Sequence, residues 1–261
     1  MDTFSLLRKE VESTRVVVMA GGEGKRMGYV GVPKPLIQLN GVPLIDRCIG
    51  YFKRNGFQRF IVLTKQEEVA RHIGDGSKYG VEVRVCMDPP VRKVGKGKAL
   101  VHAIRTGCLS LGERIFIVFP DDIFLDFTLP LRFLASHLEA VRRLDVWGSV
   151  AVVTGLQLPY GVVELEPRGL ARKFEEKPNL GIYVSAGLYI LEPNALKLLV
   201  DNVDVSSGEA VEFEQLLLPV LAEKSKLHAF TIPQGVWQPV NTIKELEEAI
   251  AKLASNAVID L

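Results

Sequence analysis

The stretch RVVVMAGG, residues 15–22, decides the fold class of this 261-residue chain. The apolar run from Val16 to Ala20 is unbroken and predicts a fully buried strand, which Gly21 and Gly22 end. Strands that are apolar on both faces are typical of a parallel sheet with helices packed on both sides. The first strand therefore already indicates an α/β protein.

The same kind of apolar run recurs along the chain and alternates with segments of helical spacing. In the first half, strands are predicted at 15–20, 59–64, 81–87, 114–119 and 149–154, and helices at 43–55, 66–73, 98–108 and 131–144. After Gly155, a hairpin (161–166 with 170–174), strands at 184–191 and 227–232, and helices at 211–224 and 242–255 are predicted. Since no linker divides the chain, we predict one domain, 1–261, with halves at about 14–150 and 151–261.

The composition excludes several classes of protein. The 32 Lys and Arg residues balance 31 Asp and Glu, so no basic excess favours binding to nucleic acid. No apolar run approaches the roughly 20 residues of a membrane span, and the charged first 14 residues do not resemble a signal peptide. Widely spaced cysteines and histidines predict reduced thiols and no zinc site. We therefore expect a cytoplasmic protein without membrane or nucleic-acid partners.

The loop after the first strand has the composition of a phosphate-binding site. Residues 20–28 are AGGEGKRMG and residues 32–35 are VPKP, so Lys25, Arg26 and Lys34 lie close to several glycines. Ligands of open α/β sheets bind beyond the carboxyl ends of the strands, where glycines let backbone amides approach phosphates. A Walker loop is absent, and Met27 stands where a dinucleotide motif needs its third glycine. The pattern favours a polyphosphate over the alternative, a glycine-rich turn with solvated cations.

This loop and the following PKPL resemble the motif of the sugar-1-phosphate nucleotidylyltransferases. Further motifs of that family follow in the family's order: GKGKAL at 95–100, VFPDDIF at 118–124, YGVVE at 160–164, FEEKP at 174–178 and SAGLYIL at 185–191. The resemblance implies a Rossmann-like, mixed but mostly parallel sheet with helices on both faces, of the nucleotide-diphospho-sugar transferase type. It also implies an enzyme that joins a nucleoside triphosphate to a sugar 1-phosphate and releases pyrophosphate.

Such a reaction needs positive charge more than it needs a base. A phosphate monoester, with a second pKa of about 6, is already mostly dianionic at neutral pH. The enzyme must bring two anions together and stabilise the charge on the transferring phosphorus, which cations, amides and Mg²⁺ can do. The absence of a histidine–serine pair from the motifs fits this chemistry.

The resemblance assigns roles to residues of both halves. Four are predicted to be catalytic: Arg26 at the β- and γ-phosphates, Lys34 near the α-phosphate, Asp121 at Mg²⁺ and Lys177 at the sugar phosphate. The predicted nucleotide contacts are Ala20, Gly21, Gly22, Gly24, Lys25, Gly95 and Lys98. Lys177 and Glu176 would bind the sugar phosphate, with Gly161 leaving space for the ring. The alternative for Gly161 is a turn glycine. The alternative for Glu176 and Lys177 is a solvated charged turn at 175–178.

The second metal ligand departs from the family pattern. The family commonly has W-x-D near its C-terminus, but this chain has Trp237-Gln-Pro239, so a proline stands where the aspartate is expected. We predict that Asn241 replaces it through its amide oxygen, as an asparagine does in related uridylyltransferases. The alternative is that Asn241, or Thr242, caps the following helix. Asp122 is a second candidate ligand, with a cap or turn as its alternative.

The substrates are less defined than the reaction. The PDDIF motif is most similar to enzymes that use UTP or dTTP with glucose 1-phosphate, which is our expected pair. Cytidylyl or guanylyl transfer to another phosphate substrate, such as a polyol phosphate, and a catalytically impaired regulator that binds nucleotide or sugar phosphate are the alternatives. Apolar faces on outer helices would allow a homo-oligomer.

Overall fold

Seven strands form one mixed sheet in the computed structural model, which describes residues 3–22 and 32–256. The strands are β1 (Arg15–Met19), β2 (Gln38–Leu39), β3 (Val42–Pro43), β4 (Arg59–Thr64), β5 (Glu82–Met87), β6 (Ile115–Val118), β7 (Asp122–Phe124), β8 (Gly148–Gln157), β9 (Val162–Leu165), β10 (Ala171–Glu175), β11 (Asn179–Leu191), β12 (Leu227–Ile232) and β13 (Trp237–Pro239). The helices are α1 (Thr3–Ser13), α2 (Leu44–Arg54), α3 (Glu67–Ile73), α4 (Gly95–Arg105), α5 (Leu129–Leu144), α6 (Pro193–Asn202), α7 (Phe213–Leu216), α8 (Leu218–Glu223) and α9 (Ile243–Asn256).

The order of strands in the main sheet is β12-β8-β11-β6-β1-β4-β5. β1 runs parallel to β4 and β6, β4 to β5, and β8 to β12, whereas β11 is antiparallel to both of its neighbours. The carboxyl ends of β1, β4, β5 and β6 therefore lie along one edge. In open α/β sheets this is the edge at which ligands bind.

Both faces of the sheet are covered, as the unbroken apolar strands predict. Alternate residues of β1 point to opposite faces, because successive side chains of a strand do so. Val16 and Val18 pack in a buried cluster with residues of α2 and α5. Val17 and Met19 pack in a second cluster with residues of α4 and α6. The predicted α/β architecture, mostly parallel with helices on both sides, is confirmed.

Two long strands carry the second half of the chain to the same edge. β8 has 10 residues and β11 has 13, and they pair from Gly148 and Leu191 to Gln157 and Asn179. The hairpin of β9 and β10 lies between them in sequence, and all its strand residues are exposed. The predicted hairpin is thus present. Among the described residues, none of the helices is both long and apolar enough to cross a membrane.

The remaining differences from the predicted elements are local. The predicted helix at 211–224 divides into α7 and α8, with Pro219 in the first turn of α8, where a proline is tolerated. α1 and α6 were not predicted, and neither was the short antiparallel pair β7–β13. That pair contributes Ile123 and Phe124 to the buried clusters and also positions the candidate site.

Candidate active site

A cavity of about 760 Å³ lies at the carboxyl ends of the parallel strands. It is lined by residues that follow β1, β4, β5 and β6 and by the first turn of α4. Six of the predicted site residues are part of its lining, namely Gly21, Gly22, Lys34, Gly95, Asp121 and Asn241. The fold therefore brings the start of the glycine loop, the PKP segment and the two predicted metal ligands to one place.

The pairing of β7 with β13 brings Asp121 next to Asn241. Pro239 lies opposite Asp122 in this antiparallel pair, and the Val240 amide donates to the Asp121 carbonyl at 2.8 Å. Asn241 is the next residue, so its side chain reaches the same region as that of Asp121. Proline lacks a backbone N–H, and this is tolerated at 239 because the residue ends a strand of three residues.

Lys34 joins the two predicted metal ligands. Its ammonium group is bonded to the Asp121 carboxylate and donates to Asn241 Oδ1 at 3.0 Å. Pro33 precedes the short 3₁₀ turn Lys34–Leu36, and the buried Pro35 anchors it. The side chains of Lys34 and Asp121 are 13% and 26% exposed, so this ion pair is screened less than a surface pair.

The cap of α9 is formed by a residue other than Asn241. The Glu245 amide donates to Thr242 Oγ1 at 3.2 Å, and the Glu245 carboxylate accepts from the Thr242 and Asn241 amides at 2.9 and 2.7 Å. This is a capping box, in which Thr242 has the N-cap role. The backbone of Asn241 takes part, but its side chain remains directed toward Lys34.

Asp122 has a structural environment that differs from that of Asp121. Its carboxylate accepts a hydrogen bond of 2.7 Å from the Trp237 indole, across the β7–β13 pair. Burial, and then the neighbouring charge of Asp121, raise the pKa of Asp122 well above its usual value. Gly187 of β11 has a φ of +73°, and a Cβ there would overlap the Asp122 carboxylate. Asp122 therefore holds the β7–β13 pair against β11, and this pair positions Asp121 and Asn241.

The glycine loop begins with three residues that differ in their exposure to the cavity. Ala20 is fully buried: its amide donates to the Leu63 carbonyl at 2.8 Å, and its carbonyl accepts from Thr64 Oγ1 at 3.1 Å. Gly21 and Gly22 line the cavity. Ala20 therefore positions these glycines from the end of β1 and does not line the cavity itself.

The start of α4 lines the cavity with Gly95 and Lys96. A Cβ at Gly95 would be 2.5 Å from the Val211 carbonyl oxygen, so glycine lets the 211–212 segment pack closely. The Gly97 amide donates to that carbonyl at 2.7 Å, and the Lys96 amide donates to the Glu212 carboxylate at 3.2 Å. The first amides of α4 therefore already have acceptors within the protein.

Lys98 does not line the cavity. Its side chain is fully buried, and its ammonium donates to the Lys93 and Ser207 carbonyls at 3.3 and 2.5 Å. The role predicted for Lys98, direct contact with nucleotide, does not fit this placement. Its charge instead holds the 93 and 207 segments together behind the cavity wall.

The predicted sugar-phosphate residues lie together, but outside the lining of this cavity. A Cβ at Gly161 would be 2.6 Å from the Phe174 ring and 3.0 Å from the Glu176 carboxylate, so these residues are in close contact. Lys177 follows with a φ of +48°, in the left-handed region, and both Glu176 and Lys177 are exposed. Three other predicted site residues, Gly24, Lys25 and Arg26, lie outside the described residues.

The sequence predictions missed several charged residues of the cavity. Those not assigned a role are Lys65, Asp88, Arg92, Lys93, Lys96 and Glu212. Lys65 and Asp88 each come directly after a predicted parallel strand, the same position that singled out Asp121. Strand-end position alone could therefore have indicated both. The contribution of Glu212 depends on a contact with Lys96 that spans more than 100 residues, which no local pattern reveals.

The oxygen atoms of Asp121 and Asn241 suit a hard divalent cation. Both already contact one cation, the Lys34 ammonium, so they can approach a common positive centre. Mg²⁺ is commonly held by one or two carboxylates together with substrate phosphates and water, and not by a complete protein cage. The described part of the chain contains no group of three or more His, Cys, Asp or Glu residues that could hold a metal.

Comparison with known proteins identifies the family. The model of the nucleotidyl transferase family matches residues 15–256. The chain belongs to this family. Two similar curated proteins are the glucose-1-phosphate cytidylyltransferase of Salmonella typhi (26% identity; 88% of this chain and 92% of that protein) and the UTP–glucose-1-phosphate uridylyltransferase of Synechocystis sp. (24% identity; 94% and 64%).

The solved structures confirm the fold of this nucleotidyltransferase. HddC from Yersinia pseudotuberculosis superposes with a TM-score of 0.64 at 20% identity, covering 92% of this chain and 99% of that protein. The predicted family, enzyme class and fold are therefore confirmed.

Proposed function

We propose that this nucleotidyltransferase transfers a nucleotidyl group from a nucleoside triphosphate to a sugar 1-phosphate. The observation that carries the proposal is the convergence of Lys34, Asp121 and Asn241 in a cavity at the carboxyl edge of the sheet. The two similar curated proteins described above differ in the nucleotide that their names give but share glucose 1-phosphate. These two relatives therefore support a sugar 1-phosphate as the acceptor.

The residues of the cavity have the charges that this reaction requires. Lys34, Lys65, Arg92, Lys93 and Lys96 surround it with positive charge, which favours a polyphosphate. The acceptor phosphate attacks without prior proton removal, because it is mostly dianionic at neutral pH. The chain then contributes by binding both anions and by neutralising the charge that spreads over the α-phosphate.

Asp121 and Asn241 would hold Mg²⁺ in this site. When bound, the ion would withdraw charge from the phosphate oxygens of the triphosphate. A neutral amide in place of a second carboxylate makes the site less negative, so binding of the ion should depend more strongly on the phosphates of the substrate. Lys34 lies close enough to both ligands to bind the α-phosphate beside them.

We further propose that the exposed hairpin supplies the acceptor side of the site. Lys177 would bind the sugar phosphate and Glu176 would accept hydrogen bonds from sugar hydroxyls. These residues lie at the end of the ribbon that β8 and β11 extend toward the catalytic edge. A Cβ at position 161 would lie 3.0 Å from the Glu176 carboxylate, so a glycine there leaves room for that carboxylate.

A substrate panel tests the proposal. Mixtures of the chain, Mg²⁺, one of five triphosphates (ATP, CTP, GTP, UTP or dTTP) and one of several hexose 1-phosphates are analysed for pyrophosphate and by product mass. We expect equal amounts of pyrophosphate and nucleotide sugar for at least one pair, and formation of both at least about 100-fold slower with Asp121→Asn. Product from a polyol phosphate but from no sugar phosphate would contradict the proposed acceptor. Triphosphate binding with no product from any pair would indicate a binding protein instead.

A further inference from the structure

One carboxylate of the cavity, that of Asp88, has no hydrogen-bond or ion-pair partner among the described residues. In the described part of the lining the acidic residues are Asp88, Asp121 and Glu212. Asp121 is paired with Lys34, and Glu212 is paired with Lys96 at 3.4 Å. Within 3–22 and 32–256, by contrast, no donor is bonded to the Asp88 carboxylate. Burial raises the pKa of Asp88, and the charges of Lys65 and His102 oppose that effect.

Asp88 lies on the side of the cavity away from Lys34, Asp121 and Asn241. It follows β5, the edge strand of the sheet, and its amide donates to the Thr64 carbonyl at 2.9 Å. Three strand spacings separate β5 from β6, which precedes Asp121, or roughly 14 Å. Asp88 Oδ2 lies 3.3 Å from the position that a Cβ of Gly21 would take, so the carboxylate borders the glycine loop.

The chemistry of the Asp88 carboxylate limits which part of a nucleotide can lie next to it. An ionised carboxylate only accepts hydrogen bonds, so it repels phosphates and binds groups with N–H or O–H donors. Lys34, Asp121 and Asn241 already account for the α-phosphate and its ion, and the hairpin with Lys177 is on the opposite side of the sheet order. The part of a nucleotide left for Asp88 is the nucleoside, and the part that differs between nucleotides is the base.

The bases differ in what they offer to an acceptor. Cytosine, adenine and guanine carry an exocyclic amine, which is a donor that an acidic side chain can bind. Uracil and thymine present carbonyl oxygens on both sides of their single N–H, and a carboxylate repels these oxygens. We propose that Asp88 accepts a hydrogen bond from the base amine and makes this site selective for CTP, GTP or ATP over UTP and dTTP.

This proposal rests on the proposed function for the identity of the bound nucleotide. It differs from the expectation of UTP or dTTP that the PDDIF motif gave. The reason is that the motif lies at the phosphate end, whereas Asp88 lies at the other end of the cavity.

Direct binding of nucleotides tests the role of Asp88 without the transfer reaction. Calorimetry with Mg²⁺, without sugar phosphate, measures the affinity of the unmodified chain for CTP, GTP, ATP, UTP and dTTP. We expect at least one amine-bearing triphosphate to bind about 10-fold or more tightly than both UTP and dTTP, the size of a charged hydrogen bond in a binding site. Equal or tighter binding of UTP or dTTP would overturn the proposal.

The variant Asp88→Asn tests whether this residue is the cause. Its amide can donate to a uracil carbonyl as well as accept, so we expect the preference for amine-bearing bases to fall to about 3-fold or less. Asp201→Asn, an exposed position near the end of α6, is the matched control and should keep the full preference. An equal loss of affinity for all five triphosphates would overturn the proposal, because it would place Asp88 beside a part of the nucleotide other than the base.

The two proposals fail in different ways. Selective binding of an amine-bearing triphosphate without any nucleotide sugar product would refute the proposed function and support the role of Asp88. Efficient formation of a UDP- or dTDP-sugar, with tight binding of that triphosphate, would support the proposed function and refute the role of Asp88.

Discussion

The substitution Gly187→Ala tests the packing that supports the catalytic edge. Gly187 has a φ of +73° and lies between Ser185 and Tyr189, where the pairing of β11 with β8 is irregular. A Cβ at this position would overlap the Asp122 carboxylate, whose Cγ would be only 3.0 Å away. Because Asp122 is bonded to the Trp237 indole, it cannot move without disturbing the β7–β13 pair.

The expected cost of Gly187→Ala has two parts. A residue other than glycine in the left-handed region costs about 1–2 kcal/mol, and the lower entropy of the unfolded alanine chain returns about 0.4–1 kcal/mol. The overlap with Asp122 adds about 1–3 kcal/mol, the usual range for overpacking. We therefore expect the free energy of unfolding to fall by about 1–4.5 kcal/mol, and kcat to fall as well because Asp121 is adjacent to the displaced residue.

Urea denaturation at pH 7 measures this loss against a matched control. Gly169 has a φ of +81°, and a Cβ added there would have no atom within 4 Å, so Gly169→Ala carries the backbone cost alone. We expect it to change the free energy of unfolding by about 1.5 kcal/mol or less. Equal losses in the two variants would refute the contact between position 187 and Asp122.

Three further changes test the site and the core. Asp121→Asn should lower kcat by about 100-fold or more. The free energy of unfolding measured in urea should change by less than about 2 kcal/mol, because the lost pair with Lys34 is partly exposed. Full activity of this variant would contradict the role of Asp121. Lys177→Ala should raise the dissociation constant of sugar 1-phosphate about 10-fold while triphosphate binding changes less than about 2-fold, and equal losses by calorimetry would contradict the proposed layout. Burial lowers the pKa of His137, so the unfolded chain binds a proton that the native state excludes, and stability should decrease as the pH falls below about 6.5. Denaturation between pH 7 and 5 should show a smaller decrease for His137→Gln, and identical slopes would contradict this.

The parallel part of the sheet could be predicted from sequence because its strands are buried on both faces. The runs at β1, β4 and β6 are continuous and apolar, and such runs have few other places in a fold. The helical spacing of apolar residues likewise predicted α2 and α5. α6 was missed although Pro193 stands at its first position, with Ala195, Leu196 and Leu199 buried on one side.

The two short strands that position the site, β7 and β13, could not be predicted in the same way. β7 and β13 have three residues each, and they pair across more than 100 positions of the chain. Their residues include Asp122 and Pro239, which are uncommon in strands. The position of Asn241 beside Asp121 therefore follows from tertiary pairing, and only the resemblance to a family indicated it beforehand.

Asp88 was missed for a different reason. It follows β5 directly and belongs to none of the recognised motifs, so no role was assigned to it. Its carboxylate nevertheless faces the cavity, because β5 is parallel to β4 and both strands end at the same edge.

A crystal structure with a non-hydrolysable triphosphate and Mn²⁺ in place of Mg²⁺ tests the central claim most directly, because anomalous scattering locates the ion. The account predicts one ion bonded to both the Asp121 carboxylate and the Asn241 amide oxygen, with the α-phosphate beside Lys34. A polyphosphate bound outside this cavity, or an ion that contacts neither side chain, would contradict it.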